Sequence, residues 1–364
     1  MSWVLVVFGF CLLIVLHEAG HFFAAKATGM RVERFFLFLG PKLVSVKRGE
    51  TEYGIAAIPI GGYVKITGMN PDEELPPEVA ARGYYHQPVW KRIVVIGAGP
   101  AVNILLAFAI LFFLSFGASE VDSTIGTVEA KSPAATAHLR PGDRIVSIDG
   151  KAFAGLDTEE RLEHFGKLVS AHHCAGGGQA KGCRATTPVR LEIQRHGQAR
   201  TIAVYPTYDP ALKRTRIGFS YGTTPLHLGL GGAASHAWGQ VWEVTSGTVH
   251  VFTHIFESEQ RKQVSGIVGV SDVAHQVIGF GVRAALGLLA LVSLSLGLIN
   301  LLPILPLDGG HIFWSLIEKL RGKPVSMRVI ERATVLGFVL VAALMFIGLN
   351  NDIGRLTGEG FNVR

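Results

Sequence analysis

Charge is what this chain has least of. Only 17% of its 364 residues are Asp, Glu, Lys or Arg, 49% are hydrophobic, and the mean hydropathy is +0.36. Ordinary soluble domains carry about 25% charged residues. That class is excluded, and several membrane spans with one soluble domain are expected instead. No basic start precedes the first apolar run, and cleavage after it would discard the histidines it carries, so a removed signal peptide is not expected. No internal repeat is present, which leaves a transporter little to alternate. No basic face marks a soluble segment, so the net charge of +6 reads as a membrane-orientation signal, and nucleic acid is not an expected partner. Cysteine is nearly absent. Of the three, Cys11 sits in an apolar run as a small apolar residue. Cys174 and Cys183 remain as a candidate disulfide closing a glycine-rich loop. His172 and His173 beside Cys174 raise a second metal site as the alternative to a pinned loop with solvated histidines.

What the chain does have is apolar length. Residues 3–25, 93–116, 284–302 and 333–349 are each long enough to cross a hydrocarbon core of roughly 30 Å. Lys26, Arg31, Arg34, Lys42, Lys47, Arg48, Lys65, Lys91 and Arg92 lie between the first two runs, and Lys319, Arg321, Lys323, Arg328 and Arg332 between the last two. Both links are expected on the cytoplasmic side. The N-terminus, residues 117–283 and the C-terminal tail are then outside.

The first run ends in Val15-Leu16-His17-Glu18-Ala19-Gly20-His21. On a helix, residues four apart share a face, so His17 and His21 can present two imidazoles to one metal ion, and Glu18 is placed to take a proton from water. Ionisable residues following fourteen apolar or glycine positions are costly in a bilayer and functional by default. The plainer alternative is a helix that becomes amphipathic as it leaves the membrane, with its histidines among headgroups. The third run ends in Asn300-Leu301-Leu302-Pro303-Ile304-Leu305-Pro306-Leu307-Asp308-Gly309-Gly310-His311, where two prolines break the helix and Asp308 offers a carboxylate at membrane depth. The first and third runs cross in the same direction, so both motifs reach the cytoplasmic third of the bilayer. Two histidines and a carboxylate leave a fourth position for water, the open arrangement of a catalytic zinc site; nitrogen and oxygen donors also admit other metals. The soluble H-E-x-x-H classes fit poorly, since Ala24 and Ala27 stand where a metzincin has glycine and histidine.

Between these motifs the pattern changes period. Residues 37–68 read as strands, with Leu43-Val44-Ser45-Val46 alternating, a turn at Arg48-Gly49-Glu50 and a further short strand at Tyr63-Val64-Lys65-Ile66. Strands this apolar can dip toward the bilayer and offer an edge near Ile60, Gly61 and Gly62 to an extended peptide. A small hairpin without a substrate role is the alternative. Residues 71–87, rich in Glu and Pro, read as a solvated loop. The second span carries Gly97, Gly99, Pro100 and Asn103, with Asn103 expected first as interhelical glue and second as a neighbour of the site. Residues 124–206 form a soluble β-rich domain. Its run Leu139-Arg140-Pro141-Gly142-Asp143-Arg144-Ile145-Val146-Ser147-Ile148-Asp149-Gly150 resembles a PDZ domain of the protease-associated kind, which takes peptide ends or strands by edge addition. A glycine-rich insertion, 172–187, falls near where the groove helix of such a domain would lie. Residues 228–256 can form an amphipathic helix with Trp238 and Trp242 near the outer interface. Val264-Ser265-Gly266-Ile267-Val268-Gly269 marks a turn before the third span.

Taken together, H-E-x-x-H, the hairpin, G-P-x-x-N, the PDZ-like run and N-x-x-P-x-x-P-L-D-G resemble the site-2 protease family of intramembrane zinc metalloproteases, in its bacterial PDZ-containing branch of the regulator of sigma-E protease type. The resemblance implies that His17, His21 and Asp308 bind Zn2+, that Glu18 activates water, and that Asn300 holds the substrate backbone or the developing oxyanion. It implies single-span membrane proteins as substrates, anti-sigma factors and signal-peptide remnants among them, cut within or near their membrane helix. The PDZ domain would stand over the outer entrance and exclude substrates with bulky outer parts. Departures from the family pattern are a single PDZ domain, Phe38 for the first glycine of G-F-G, Leu305 for a proline, and Ile267 for the proline after Ser-Gly.

The expected fold is a polytopic α-helical membrane protein of about four transmembrane helices, with a cytoplasmic-side β-hairpin and one extracytoplasmic PDZ (β-rich α+β) domain. The divisions are 1–29, the first transmembrane helix with H-E-x-x-H; 30–90, hairpin and cytoplasmic loop; 91–118, second transmembrane helix; 119–210, PDZ domain; 211–282, amphipathic extracytoplasmic segment; 283–312, third transmembrane helix; and 313–364, link, fourth helix and tail. A monomer in the bacterial inner membrane is expected. The rival reading is a non-catalytic PDZ-bearing membrane scaffold with a structural metal site, which would have no need of Glu18.

Overall fold

The computed structural model describes residues 2–70, 73–153, 155, 158–175, 182–209, 214–255, 257, 261, 266–278 and 281–357. It divides into two units, one of Met1–Ser115 with Leu230–Ile353, the other built on Phe116–Gly229. In chain order the first unit opens with α1 (Ser2–Ala27), β1 (Val32–Arg48), β2 (Thr51–Ile66), α2 (Pro77–Ala80) and α3 (Val89–Ser115). The second holds β3 (Ser119–Val128), α4 (Pro133–Thr136), β4 (Arg144–Ile148), β5 (Lys151–Ala152), α5 (Thr158–Ser170), β6 (Val189–Arg195), β7 (Gln198–Val204), β8 (Thr207–Asp209), β9 (Arg214–Arg216) and β10 (Phe219–Pro225). The first unit resumes with α6 (Leu230–Thr253), α7 (Ile267–Ile278), α8 (Val282–Asn300), α9 (Asp308–Arg321) and α10 (Met327–Thr357).

Four helices are long and apolar enough to cross a membrane: Val7–Ala27 within α1, α3, α8, and Met327–Gly354 within α10. They match the four apolar runs, the last extending further at both ends than its apolar centre. α3 is the hub. Its buried face runs Arg92, Val95, Ile96, Gly99, Asn103 and Ala107, a three-and-four spacing that keeps one side of a helix turned inward. Small residues let the neighbours approach it closely. A Cβ on Gly20 of α1 would come within 2.6 Å of the Ala98 carbonyl oxygen, and one on Gly297 of α8 within 3.0 Å of that of Pro100. The Ser293 hydroxyl of α8 donates to the Asn103 carbonyl at 2.9 Å. α6 packs Val241 against Ala107, Ala290 and Leu294, leaving Trp238 and Trp242 exposed. Phe256, the expected end of that helix, lies outside the described residues, as do Val264 and Ser265.

Asp352 of α10 is fully buried, and its carboxylate accepts from the backbone N–H of Gly266 and Gly269 at 3.1 and 2.8 Å. It thereby satisfies N–H groups that the first turn of α7 leaves open. A Cβ at Gly266 would meet the Gly348 and Leu349 backbone at 2.9–3.0 Å, so the last helix and this turn touch directly.

The expected hairpin and the further short strand are both present, within β1 and β2. Residues 42–48 pair antiparallel with 51–56, and β2 then turns back, so that Val32, Phe35, Phe36 and Leu37 face Ile66, Val64, Tyr63 and Gly62. The same stretch of β1 also meets Glu52 to Ile55. Among the described strands, residues 62–66 have β1 on one side and nothing on the other. Phe38 has φ +73°, the left-handed region that favours glycine, at the position where the family pattern has one. The segment expected as a solvated loop is partly folded: Tyr84 is 2% exposed, in a 3-10 turn spanning Tyr84–His86. Its ring packs with Met30, Ile66, Val95 and Ile96, an apolar use that the Glu- and Pro-rich flanks conceal.

In the second unit the strands order β10-β3-β4-β6-β7, with β5 on β4 and β8–β9 as a small hairpin. Ile145, Ile148, Leu191, Ile193, Val204, Phe165 and Val169 close the core. Asp143, 1% exposed, explains its run. It takes two bonds of 2.6 Å from Arg195 and one of 2.8 Å from the Arg140 N–H, tying the Pro141-Gly142 turn to β6. Against the desolvation of burial, Arg195 and the Arg140 N–H hold its carboxyl below the usual range. The glycine-rich insertion follows a helix, α5, which places Phe165 edge-on to Phe219 and Tyr221 of β10 at 5.5 and 5.8 Å. Cys174 and Cys183 are disulfide-bonded, Cα atoms 6.2 Å apart. His172 bonds Asp149 at 2.9 Å and Thr187 at 2.8 Å, so it serves to pin the loop.

Candidate metal centre

Among the described residues, one set of donors converges as a metal site would require: His17, His21 and Asp308. The histidines lie one turn apart on α1, 8% and 7% exposed, their Nε2 atoms 3.3 Å from each other. Asp308 arrives from the far end of the chain. Pro303 and Pro306 end α8 and re-aim the backbone, and α9 then starts at Asp308, where a carboxylate in the first turn suits the helix dipole. The return is tight. A Cβ on Gly309 would run into the Leu301 and Leu302 carbonyls, and one on Gly310 would come within 2.5 Å of the Leu305 nitrogen. Gly337 of α10 packs equally closely on the Leu305 carbonyl oxygen.

Asp308 Oδ2 stands 3.2 Å from His17 Nε2 and 3.3 Å from His21 Nε2, and this buried oxygen has no hydrogen-bond donor. Donors held about 2.0–2.1 Å from a tetrahedral zinc ion lie about 3.3–3.4 Å apart. The triangle therefore fits the ion. It fits no hydrogen-bonded cluster as well, since three acceptors turned on one another gain nothing without a cation.

The outer contacts come from the buried face of α3. The Val95 carbonyl accepts from His21 Nδ1 at 2.9 Å, which leaves the Nε2 lone pair free for a metal. Asn103 Nδ2 lies 3.2 Å from His17 Nδ1, and its buried Oδ1 has no partner. In the orientation that presents Oδ1, the amide accepts Nδ1–H and fixes the same tautomer in His17. Asn103 is thus both glue and neighbour of the site. Gly99 lies under the His21 ring, where any Cβ would strike the imidazole. Sequence reasoning missed Val95, whose backbone does the work, and missed that Arg92, Val95, Gly99 and Asn103 share one face; their spacing was the available signal.

Glu18 adjoins the triangle, its Cγ 3.0 Å from where a Cβ of Gly62 would be. Gly62 and Gly61, the latter at φ +73°, bring the open edge of β2 onto that carboxylate. Ile60 belongs to β2, but its side chain lies outside the described residues. Asn300 is not brought to the triangle by any described contact; its Nδ2 donates to Leu296 O at 3.0 Å.

A helix-borne H-E-x-x-H completed by a distant carboxylate, among helices long and apolar enough to span a membrane, has the donor set of a metallopeptidase. The chain belongs to peptidase family M50, the site-2 proteases, whose model matches residues 5–344. It is 31% identical over 379 residues to a protein of Rhizobium meliloti, covering 95% of each chain. It is 32% identical over 366 residues to one of Mesorhizobium japonicum, covering 96% of this chain and 98% of that one. With one of Clostridium acetobutylicum it shares 28% over 350 residues, 96% of each. All three carry the provisional name zinc metalloprotease. Family and relatives support a zinc metalloprotease.

Proposed function

We propose that this protein is an intramembrane zinc metalloprotease that hydrolyses peptide bonds within or near the membrane segment of single-span proteins. The observation that carries the reading is the donor triangle of His17, His21 and Asp308, set on membrane-length helices with Glu18 beside an open strand edge. Zinc held by the three donors would supply a Lewis acid that acidifies water and polarises the scissile carbonyl.

The chain's own residues do the rest. Glu18 takes the proton of the attacking water and passes it to the leaving amine nitrogen. A substrate helix hides its carbonyls in i→i−4 hydrogen bonds and must unwind before attack. The edge at 61–66 replaces those bonds with strand pairing, and Gly61 and Gly62 let the unwound backbone lie close to Glu18. Asn300 supports the substrate backbone or the oxyanion once its amide leaves Leu296. Substrates of this kind are anti-sigma factors and signal-peptide remnants. The positive residues of the two links set the orientation in a bacterial inner membrane: N-terminus and β-rich unit outside, site toward the cytoplasm.

The β-rich unit acts as a PDZ domain that screens substrates, a reading supported by the Leu139–Gly150 run and by Phe165 facing β10. Deletion of 126–206 broadens cleavage to proteins with untrimmed outer parts; selectivity unchanged by the deletion removes the screening role.

The decisive test compares wild type with Glu18→Gln on a panel of outer-trimmed single-span proteins in cells. The substitution keeps all three donors and removes the base. Products are expected with wild type alone, and identical patterns from both across the panel would favour a scaffold.

A further inference from the structure

α3 orients His21 through Val95 and His17 through Asn103. The third donor has no such contact from α3 directly, yet the same face of α3 grips the helix that carries it. One turn before Val95, Arg92 makes a fork-shaped ion pair with Glu318 of α9, Nη1 to Oε2 at 2.9 Å and Nη2 to Oε1 at 2.6 Å. The Arg92 side chain is 3% exposed, and its guanidinium lies 5.4 and 5.9 Å from the ring centres of Tyr85 and Tyr84.

A charge so buried is costly to leave without its partner, so this pair fixes where α9 can sit along α3. The fork adds an angle as well as a distance. Glu318 is ten residues from Asp308 on one uninterrupted helix, about 15 Å along its axis. At the other end, Gly309 and Gly310 are wedged against the backbone of the preceding loop. α9 is thus a short rod held at both ends, and a shift at Glu318 is carried to Asp308.

We propose that Arg92 is a positioning residue for the metal centre, setting the place of Asp308 through Glu318. The proposal rests on the reading of His17, His21 and Asp308 as metal ligands. α3 then acts as a template for all three donors, with Arg92, Val95 and Asn103 each answering for one of them.

The test uses the full-length protein, purified in detergent and loaded with zinc. It measures zinc per chain, the rate of zinc loss to a chelator, and the thermal transition. Arg92→Met and Glu318→Gln are each expected to speed zinc loss measurably, by less than the roughly 10- to 100-fold caused by removing a group bonded directly to a ligand. The exchanged pair, Arg92→Glu with Glu318→Arg, is expected to recover most of that loss, which a general packing defect would not allow. A lowered thermal transition with zinc loss at the wild-type rate overturns the proposal, because the pair is then only structural. If Arg92→Met fails to fold, Arg92→Lys decides the matter: it keeps the charge and loses the fork, so an intermediate rate supports positioning and a wild-type rate refutes it. Wild-type protein that binds no zinc overturns the metal centre and this proposal together.

Discussion

Gly99 and Gly97 stand two residues apart on α3, and alanine at each should have opposite effects. Replacing a helix-interior glycine by alanine favours the helix by roughly 1 kcal/mol. At Gly97 the added methyl would find only Ile312 Cδ1 at 3.8 Å, ordinary van der Waals contact, so most of that gain should appear. At Gly99 the methyl strikes the His21 imidazole. The ring has little room to yield, because its Nδ1 is tied to the Val95 carbonyl and its Nε2 faces His17 and Asp308. The helices cannot part cheaply either, since Gly20 is already pressed on Ala98. Overpacking of this kind costs about 1–3 kcal/mol, which equals or exceeds the helix gain. Moving His21 off its outer contact should weaken zinc retention by roughly 10- to 100-fold. The assay is zinc content, cleavage and thermal denaturation of both variants in one detergent. Gly97→Ala should match or exceed wild type in stability and keep its zinc, while Gly99→Ala should lose zinc and activity. Equal behaviour of the two would refute the close packing of α1 on α3.

Two further outcomes follow from buried or paired carboxylates. Glu50, at the β1–β2 turn, is bonded by both Arg82 Nη atoms at 2.8 Å and by Lys26, which pulls its carboxyl from 4.5 to about 2. A carboxyl lowered on folding contributes stability above its unfolded pKa and loses it as pH falls, so the window is pH 4.5 down to about 2. Thermal stability of the wild type should therefore drop more steeply across that window than that of Glu50→Gln, and parallel curves would show that the pair contributes nothing. Asp352→Asn keeps the shape of the α7 cap and removes its charge, at an expected cost of about 1–2 kcal/mol in unfolding. Proteolysis should then cut more readily around 266–278, and an unchanged digestion pattern would count against the cap.

Much of this was readable in the sequence because the informative residues are out of place in apolar runs. His17, Glu18, His21 and Asp308 are expensive at membrane depth, so each announces itself without an alignment. The four spans were visible for the same reason in reverse, as length without charge. What stayed hidden depends on pairing between distant residues. Nothing local marks Arg92 and Glu318 as partners across 226 positions, and in the sequence Arg92 reads as one more basic residue of the link between the first two apolar runs. Tyr84 sat in a run of Glu and Pro, where composition argues for solvent, yet tertiary packing buries it. Backbone groups such as the Val95 carbonyl have no residue identity to read. In β1 and β2 the alternation located strand residues but was silent on register, and the turn back of β2 depends on glycines whose role appears only against Glu18.

The donor triangle joins residues near opposite ends of the chain, and its consequence concerns birth rather than catalysis. A nascent chain that ends after its first two long helices owns the two imidazoles and Glu18 but no Asp308 to complete the set. The set is complete only after the intervening β-rich unit and the third long apolar helix have been made. The metal-ligand set is thereby incomplete until most of the chain has been synthesised.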